Sequence, residues 1–381
     1  CLTSLNAGST CNVVVEYAPT VVSAPNDPDT MQVDYFDGVS TQSTTRDVVG
    51  IAVAPATLTI SGPDPYSFGT LATGATTSNT FTITNTGSFT ASSISETGIA
   101  PPFRYLGGAF PGTGGDCTAT LTASSTCDIV VEYAPTIPGT NTDDIDITYN
   151  DGVGTQSVQL QIDGIAVTPA LLQISEADPF SMGTVSVGSK STHIFTVTNT
   201  GGHDASAVAE VGIATPFKYV GGSYPGTAGN CTATIVSLAV CSIEVEFEPA
   251  ATGLFQDTIT FTYNNGASAQ VANRDIEGIG ATPAVIAISE VNPYDYGNVT
   301  QGSSASHIFT LTNTGGVTAT SMAGTGLVAP YNFLGSSYPG TGGSCGGSLA
   351  PAAMCTIVVE FAPTTLGTLT DAIDIAYNDG T

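Results

Sequence analysis

A six-residue segment, Thr82-Ile83-Thr84-Asn85-Thr86-Gly87, returns as Thr196-Val197-Thr198-Asn199-Thr200-Gly201 and again as Thr310-Leu311-Thr312-Asn313-Thr314-Gly315, each time 114 residues further on. Repetition at a fixed step means that one structural unit is copied in tandem, and it constrains the fold more than composition does. The cysteines keep the same step: Cys117, Cys231 and Cys345 form one series, and Cys127, Cys241 and Cys355 another. Gly50-Ile51-Ala52-Val53 and Gly164-Ile165-Ala166-Val167 are in phase as well. Cys1 and Cys11 precede Cys117 and Cys127 by 116 residues, so the first copy carries two extra residues, placed in the stretch Ala24 to Pro28. The reading is two complete copies, 56–169 and 170–283. Residues 1–55 are the second half of an earlier copy, and 284–381 form a copy without its last strand. A chain that starts and stops inside a copy reads as a window cut from a longer array.

Within a copy the hydrophobic period is two. Ile145, Ile147 and Tyr149 alternate with Asp146 and Thr148, and Phe81 and Ile83, then Ile129, Val131 and Tyr133, do the same. This is the pattern of strands with one buried face. Asp151-Gly152, Asn265-Gly266 and Asp379-Gly380 follow such strands directly, and Asx-Gly pairs take up the positive φ of tight hairpin turns. No stretch of a dozen residues carries a 3.6 period. About seven to nine short strands per copy predict an all-β fold, an antiparallel β-sandwich of roughly 100 residues. Copies join through Ala166-Val167-Thr168-Pro169-Ala170, where proline fixes φ and no Gly/Ser-rich slack is present, so a stiff rod of beads is expected.

Each copy holds two cysteines ten residues apart: Cys1 and Cys11, Cys117 and Cys127, Cys231 and Cys241, Cys345 and Cys355. Eight in phase, with none left over, predict one local disulfide per copy. Disulfides persist in oxidising compartments, so the chain is expected outside the cytoplasm, secreted or at the cell surface. Closing so short a loop restricts the unfolded chain by about 3 kcal/mol in the entropy picture. Two thiols per copy without a recurring histidine do not fill the four positions zinc prefers, and no metal or cofactor is expected. A lipidated Cys1 would strand Cys11, so Cys1 is read as an ordinary disulfide partner. Leu349-Ala350-Pro351 lies just before Cys355. In many sandwiches a Leu-x-Pro corner leads to a tyrosine whose hydroxyl ties the corner down, and here the disulfide is expected to do that job.

The chain carries 32 acidic residues against 5 basic ones, a net charge of -27, although only 10% of its residues are charged. Phosphate recognition needs clustered cations, which excludes nucleic acid and disfavours anionic membrane surfaces. Apolar runs such as Ile129-Val130-Val131 fall far short of the about 20 residues that cross a bilayer, so no direct membrane insertion is expected.

Residues able to carry chemistry are few. His193 and His307 hold equivalent positions at the start of a strand, where the copy at 56–169 has Asn79, and are read as exposed strand residues. His203-Asp204 has no counterpart in the other copies and no nearby nucleophile. Gly112-Thr113-Gly114-Gly115 precedes a strand and not a helix, so it reads as a turn and not a phosphate cradle. Asp29, Asp143, Asp257 and Asp371 keep phase, as do Glu16, Glu132, Glu246 and Glu360. Calcium would take several converging oxygens, which Asp143, Asp144 and Asp146 offer, but beside Asp257 the neighbours are Thr258 and Thr260. A solvated strand face is the reading. Asn230-Cys231-Thr232 and Asn298-Val299-Thr300 match glycosylation sequons, a weak signal in a Thr-rich chain. Lys190 and Lys218, the only lysines, lie in one copy, so Lys–Asn cross-links cannot reinforce every copy.

Phe-Thr-Val-Thr-Asn-Thr-Gly over 195–201, the cysteine pair Cys231 and Cys241, Val-Glu-Phe-x-Pro over 245–249 and Tyr-Asn-Asn-Gly over 263–266 together resemble the Hydin-type (ASH) Ig-like domains. The chain is especially similar to their tandem versions in bacterial proteins labelled "choice-of-anchor D". The resemblance covers essentially the whole chain. It implies Ig-like modules in a secreted or surface-exposed array, and it carries no catalytic residues. The core tryptophan of antibody domains is absent.

The function expected from these readings is structural: an extracellular stalk, fibre or filament that associates with itself, and not an enzyme. With almost no lysine to guard its edge strands, the surface is one of Thr, Ser, Asn and Gly that tolerates close packing. The alternative is a cell-surface adhesin binding a glycan or a host or prey surface. The loop Tyr219 to Cys231, with Tyr224 and Pro225, is its best local candidate, although Phe110-Pro111 and Tyr338-Pro339 repeat it.

Overall fold

The computed structural model describes residues 1–23 and 25–381, so the two-residue insertion expected over Ala24 to Pro28 begins at a position outside the described residues. Among the described residues all regular structure is β, in 26 strands, and no helix is long and apolar enough to cross a membrane. The chain divides into two compact units, Cys1–Val167 and Thr168–Thr381.

In the first unit, Asp27–Phe36 and Thr41–Gly50 form an antiparallel hairpin around Asp37-Gly38. Two sheets follow. One orders its strands Leu58–Ile60, Thr77–Asn85, Thr126–Tyr133 and Phe103–Tyr105. The other orders Tyr66–Ala72, Thr155–Val167, Gly139–Asn150, Ala91–Glu96 and Thr120–Leu121. The alternating side chains read from sequence form the core between them: Phe81, Ile83, Ile129, Val131, Tyr133, Ile145 and Ile147 are all at most 1% exposed. Burying each such apolar side chain contributes about 1.5–3 kcal/mol.

The second unit repeats the plan. Leu172–Ile174, Ser191–Asn199, Val240–Phe247 and Phe217–Tyr219 form one sheet. Phe180–Ser186, Ala269–Ala281, Gly253–Asn264 and Ser206–Glu210 form its partner, and Phe195, Phe247, Ile259 and Phe261 fill the space between. A third core gathers Phe309, Leu311, Ile357, Val359 and Phe333. The sandwiches are antiparallel except at one edge. Tyr66–Ala72 runs parallel to Thr155–Val167, and Phe180–Ser186 runs parallel to Ala269–Ala281. In the copies at 56–169 and 170–283 the opening segment edges one sheet, then crosses over and lies beside the closing strand of the other.

Close approach to an aromatic ring explains the repeated glycine of the Gly-Ile pair. A Cβ on Gly164 would lie 2.7 Å from the Tyr133 ring, and one on Gly278 would lie 2.6 Å from the Phe247 ring. Gly50 stands in the same relation to Tyr17. The closing strand can lie down on the core aromatic only where it has no side chain.

Candidate functional site

The recurring Thr-x-Thr-Asn-Thr-Gly segment ends the strand that runs through the middle of one sheet, and its asparagine points inward. Asn85, Asn199 and Asn313 are 0% exposed. Asn199 Nδ2 donates to His203 O at 2.9 Å and to Ile235 O at 3.0 Å, while Oδ1 accepts from Leu171 N at 3.1 Å and Gly201 N at 3.0 Å. Asn85 makes the same set with Phe89 O, Leu121 O, Thr57 N and Gly87 N. Asn313 makes it with Val317 O, Leu349 O, Val285 N and Gly315 N. A primary amide offers two donor hydrogens and an acceptor oxygen, and here all are spent on backbone from three separate segments. One side chain thus clamps the incoming linker, the turn after its own strand, and the corner before the second cysteine.

The glycine that follows lets the linker pass. A Cβ on Gly201 would sit 2.0 Å from Pro169 O, and the equivalent gaps are 2.2 Å from Gly87 to Pro55 O and 2.1 Å from Gly315 to Pro283 O. With that contact open, Thr200 N donates to Leu171 O at 2.8 Å, and Ala170 N donates to Asn265 O in the Asn-Gly hairpin at 2.9 Å. Ala56 to Asp151 and Ala284 to Asp379 repeat the second bond. Tyr263 Oη accepts from Leu172 N at 3.3 Å, and Tyr149 and Tyr377 do the same for Leu58 N and Ile286 N. The proline-bearing linker is therefore tied into the module it enters.

All eight cysteines are bonded, Cys1–Cys11, Cys117–Cys127, Cys231–Cys241 and Cys345–Cys355, with Cα–Cα distances of 4.8–4.9 Å. The corner itself, however, is not held as sequence reasoning expected. The carbonyls of Leu121, Ile235 and Leu349 are taken by the buried asparagine, and the disulfide closes the loop beside them. A short amide aimed at the carbonyls does what a tyrosine hydroxyl does elsewhere.

Three of the in-phase aspartates are spent on backbone. Asp143 Oδ2 accepts from Ala100 N at 2.6 Å, Asp257 Oδ2 from Ala214 N at 2.6 Å and Asp371 Oδ2 from Val328 N at 2.8 Å, in each case across 43 residues. The aspartates thus fasten a loop and are not a free solvated face. In the Asx-Gly turn, backbone donors from Gly154 and then Val153 hold the Asp151 carboxyl below its ordinary value. Asn265 accepts the same two bonds without a charge. Among the described residues no three His, Cys, Asp or Glu side chains converge as a metal site.

Two clusters vary between copies in a coordinated way. Glu246, 5% exposed at its side chain, receives Lys190 at 3.0 Å and Lys218 at 3.2 Å; burial pushes its pKa up, but the two ammonium groups outweigh that and hold it low. Glu132 receives Arg104 at 2.7 Å instead, and opposite Glu360 the cation is replaced by Asn332. Inside the sandwich, burial raises the Tyr105 and Tyr219 hydroxyls, with Glu96 and Glu210 the next contributors. Tyr224 is pushed up to about 12 by burial and then Glu210. In the copy at 284–381 the phenol is Phe333 and the carboxylate is Gly324, whose absent side chain makes room for the ring. Phenol and carboxylate were exchanged together.

His193 and His307 are half-buried, a correction to the exposed strand reading. His193 stacks on Phe180 with ring centroids 4.1 Å apart and faces Glu176 at 3.4 Å. His307 stacks on Tyr294 at 4.0 Å and faces Glu290 at 3.6 Å. The glutamates sit at φ of 77° and 74°, where the copy at 56–169 has Gly62. The exchange of Gly62 and Asn79 for Glu and His in two copies was a signal available in the repeats. His203 shows no such pairing; its Nδ1 lies 2.9 Å from Asp204 O. Of the two sequon asparagines, Asn230 is engaged with Ser242 N at 2.7 Å, and Asn298 is exposed.

The family described as HYDIN/CFA65/VesB-like, Ig-like domain matches residues 59–165 and again residues 173–278, more than half of the chain. The chain belongs to this family. No curated protein matches the chain. Solved structures similar to these HYDIN-type Ig-like repeats include a Porphyromonas gingivalis protein of unknown function, 10% identical with a TM-score of 0.24, the match covering 58% of this chain and 99% of that one. The Vibrio cholerae VesB protease is 14% identical with a TM-score of 0.23, over 28% of this chain and 31% of the protease. The seventh PapD-like domain of human CEP192 is 14% identical with a TM-score of 0.22, over 30% of this chain and 87% of that domain. No activity is carried over from these likenesses. The HYDIN-type modules described above spend their chemistry-bearing side chains on holding loops, linkers and corners.

Proposed function

We propose that the chain is a structural component of an extracellular assembly, a disulfide-stapled spacer of Ig-like modules that sets distance in a surface stalk, fibre or lattice. One observation carries the reading. The buried asparagine, its glycine, the corner carbonyl and the disulfide recur with the same partners in three modules, so what is built repeatedly is the joint and not a ligand site. The disulfides support an oxidising compartment. The acidic surface supports a partner other than nucleic acid.

Self-association is part of the proposal and follows from the lysine-poor edges. Electron microscopy of the purified chain at rising concentration, run beside glycan-array binding, tests it. The expected result is ordered assembly with no saturable ligand. Particles that stay separate and bind one glycan or protein saturably would overturn the structural reading in favour of adhesion.

A further inference from the structure

Within the second unit, the clamp is supplemented where the copy at 170–283 meets the copy at 284–381. The strand Phe180–Ser186 runs into a turn braced by its own module, with Val187 N donating to Ala281 O at 2.8 Å and Gly188 N to Pro249 O at 3.1 Å. From that turn Ser189 Oγ donates to Gly380 O at 2.7 Å, in the hairpin turn of the following module. Val317, in the turn after Asn313, is 9% exposed and lies 3.0 Å from the point a Cβ on Gly380 would occupy. Ser186, 3% exposed, lies 3.5 Å from the same point. Ala281, at the end of the closing strand of one module, belongs to the buried core of the next, together with Ala284, Val317 and Ala319. Gly316 N also donates back to Thr282 O at 3.0 Å.

We infer that Val317 and the Ser189–Gly380 hydrogen bond form a plug that couples these two modules, so that loosening the turn of one loosens the facing turn of the other. The contact is one-sided: a cleft of about 600 Å³, lined by Met182, Val185, Lys190, Thr318 and Pro351, opens beside it. The coupling therefore rests on the few residues of the plug and not on a broad packed interface. Val317, at the centre of the plug, differs in every copy. Val317 stands where the other copies have Phe89 and His203, and Ser189 where they have Ala75 and Ser303. The clamp is constant and the plug is set joint by joint, which makes coupling strength a property of each joint. The inference stands or falls independently of the spacer reading, because it concerns two modules of one chain wherever the chain is found.

Hydrogen exchange read by mass spectrometry on the full chain tests it with Val317→Asp and Ser189→Ala. Exchange at 186–191, in the preceding module, is expected to rise about tenfold in Val317→Asp and a few-fold in Ser189→Ala, alongside 314–318, as local opening becomes easier. Segments 243–247 and 357–361 report whether the sandwiches stay folded. Should the aspartate unfold the last module, the alanine variant, which removes one hydroxyl, decides. Unchanged exchange at 314–318 in Ser189→Ala, with both sandwiches intact, would overturn the coupling.

Discussion

Asn199→Ala is expected to destabilise its module by about 3–5 kcal/mol, at the upper end of what single substitutions do. The amide is 0% exposed and makes four hydrogen bonds to backbone groups of Leu171, Gly201, His203 and Ile235. Each bond contributes about 0.5–1.5 kcal/mol, and a buried backbone group left without a partner costs about 1–3 kcal/mol. Not all four are stranded, since the turns relax toward water, which keeps the sum below the full arithmetic. Asn199→Asp is expected to fall close behind, because a carboxylate keeps the two accepting bonds and loses both donors. The chain has no tryptophan, so calorimetry is the appropriate readout. The transition of the mutated module should separate and move down while those of the other modules stay in place, with Asn85 and Asn313 as internal controls.

Gly201→Ala is expected to have the second-largest effect, a loss of about 2–3 kcal/mol or more. Its backbone does not lie in the left-handed region, so the constraint is purely one of space. A methyl group would lie 2.0 Å from Pro169 O, 2.6 Å from Ala170 Cα and 2.8 Å from Leu171 N. All three are main-chain atoms, which cannot swing aside as a flexible side chain would. The linker must move, and with it go the bonds from Thr200 N to Leu171 O and from Leu171 N to Asn199. Gly154→Ala serves as the control, since nothing lies within 4 Å of its Cβ position and its φ is ordinary. Thermal midpoints of the two variants, compared with the parent, check the prediction. A Gly201→Ala midpoint as high as that of Gly154→Ala would show that the close approach is not a constraint.

These predictions mark where the sequence was legible and where it was not. The 114-residue step and the two-residue alternation exposed the copies and their buried faces, because both are local patterns that survive in one dimension. The disulfides followed from cysteine phase, since partners ten residues apart leave little choice. The parallel edge, Tyr66–Ala72 beside Thr155–Val167, left no such trace: its partners are about 95 residues apart and a parallel ladder has no turn to announce it. The asparagine was visible as a motif, but its role needed the corner near residue 235 and the linker near 171 to be brought together in space. The aspartate series was read as surface because the amide that holds Asp143 lies 43 residues away. Gly62, Glu176 and Glu290 changing in step with Asn79, His193 and His307 could have been read from the repeats alone. Positions compared singly hide what positions compared in pairs reveal.

The linkers are folded parts of the modules they enter, and amide exchange at Ala56, Ala170 and Ala284 tests this most directly. Each of these amides donates to a hairpin carbonyl at 2.9–3.0 Å, so each is predicted to exchange about 100-fold or more slower than an unstructured amide. Exchange at the rate of a free chain at all three positions would contradict it: the proline segments would then be loose tethers, and the repeated asparagine would have nothing to clamp.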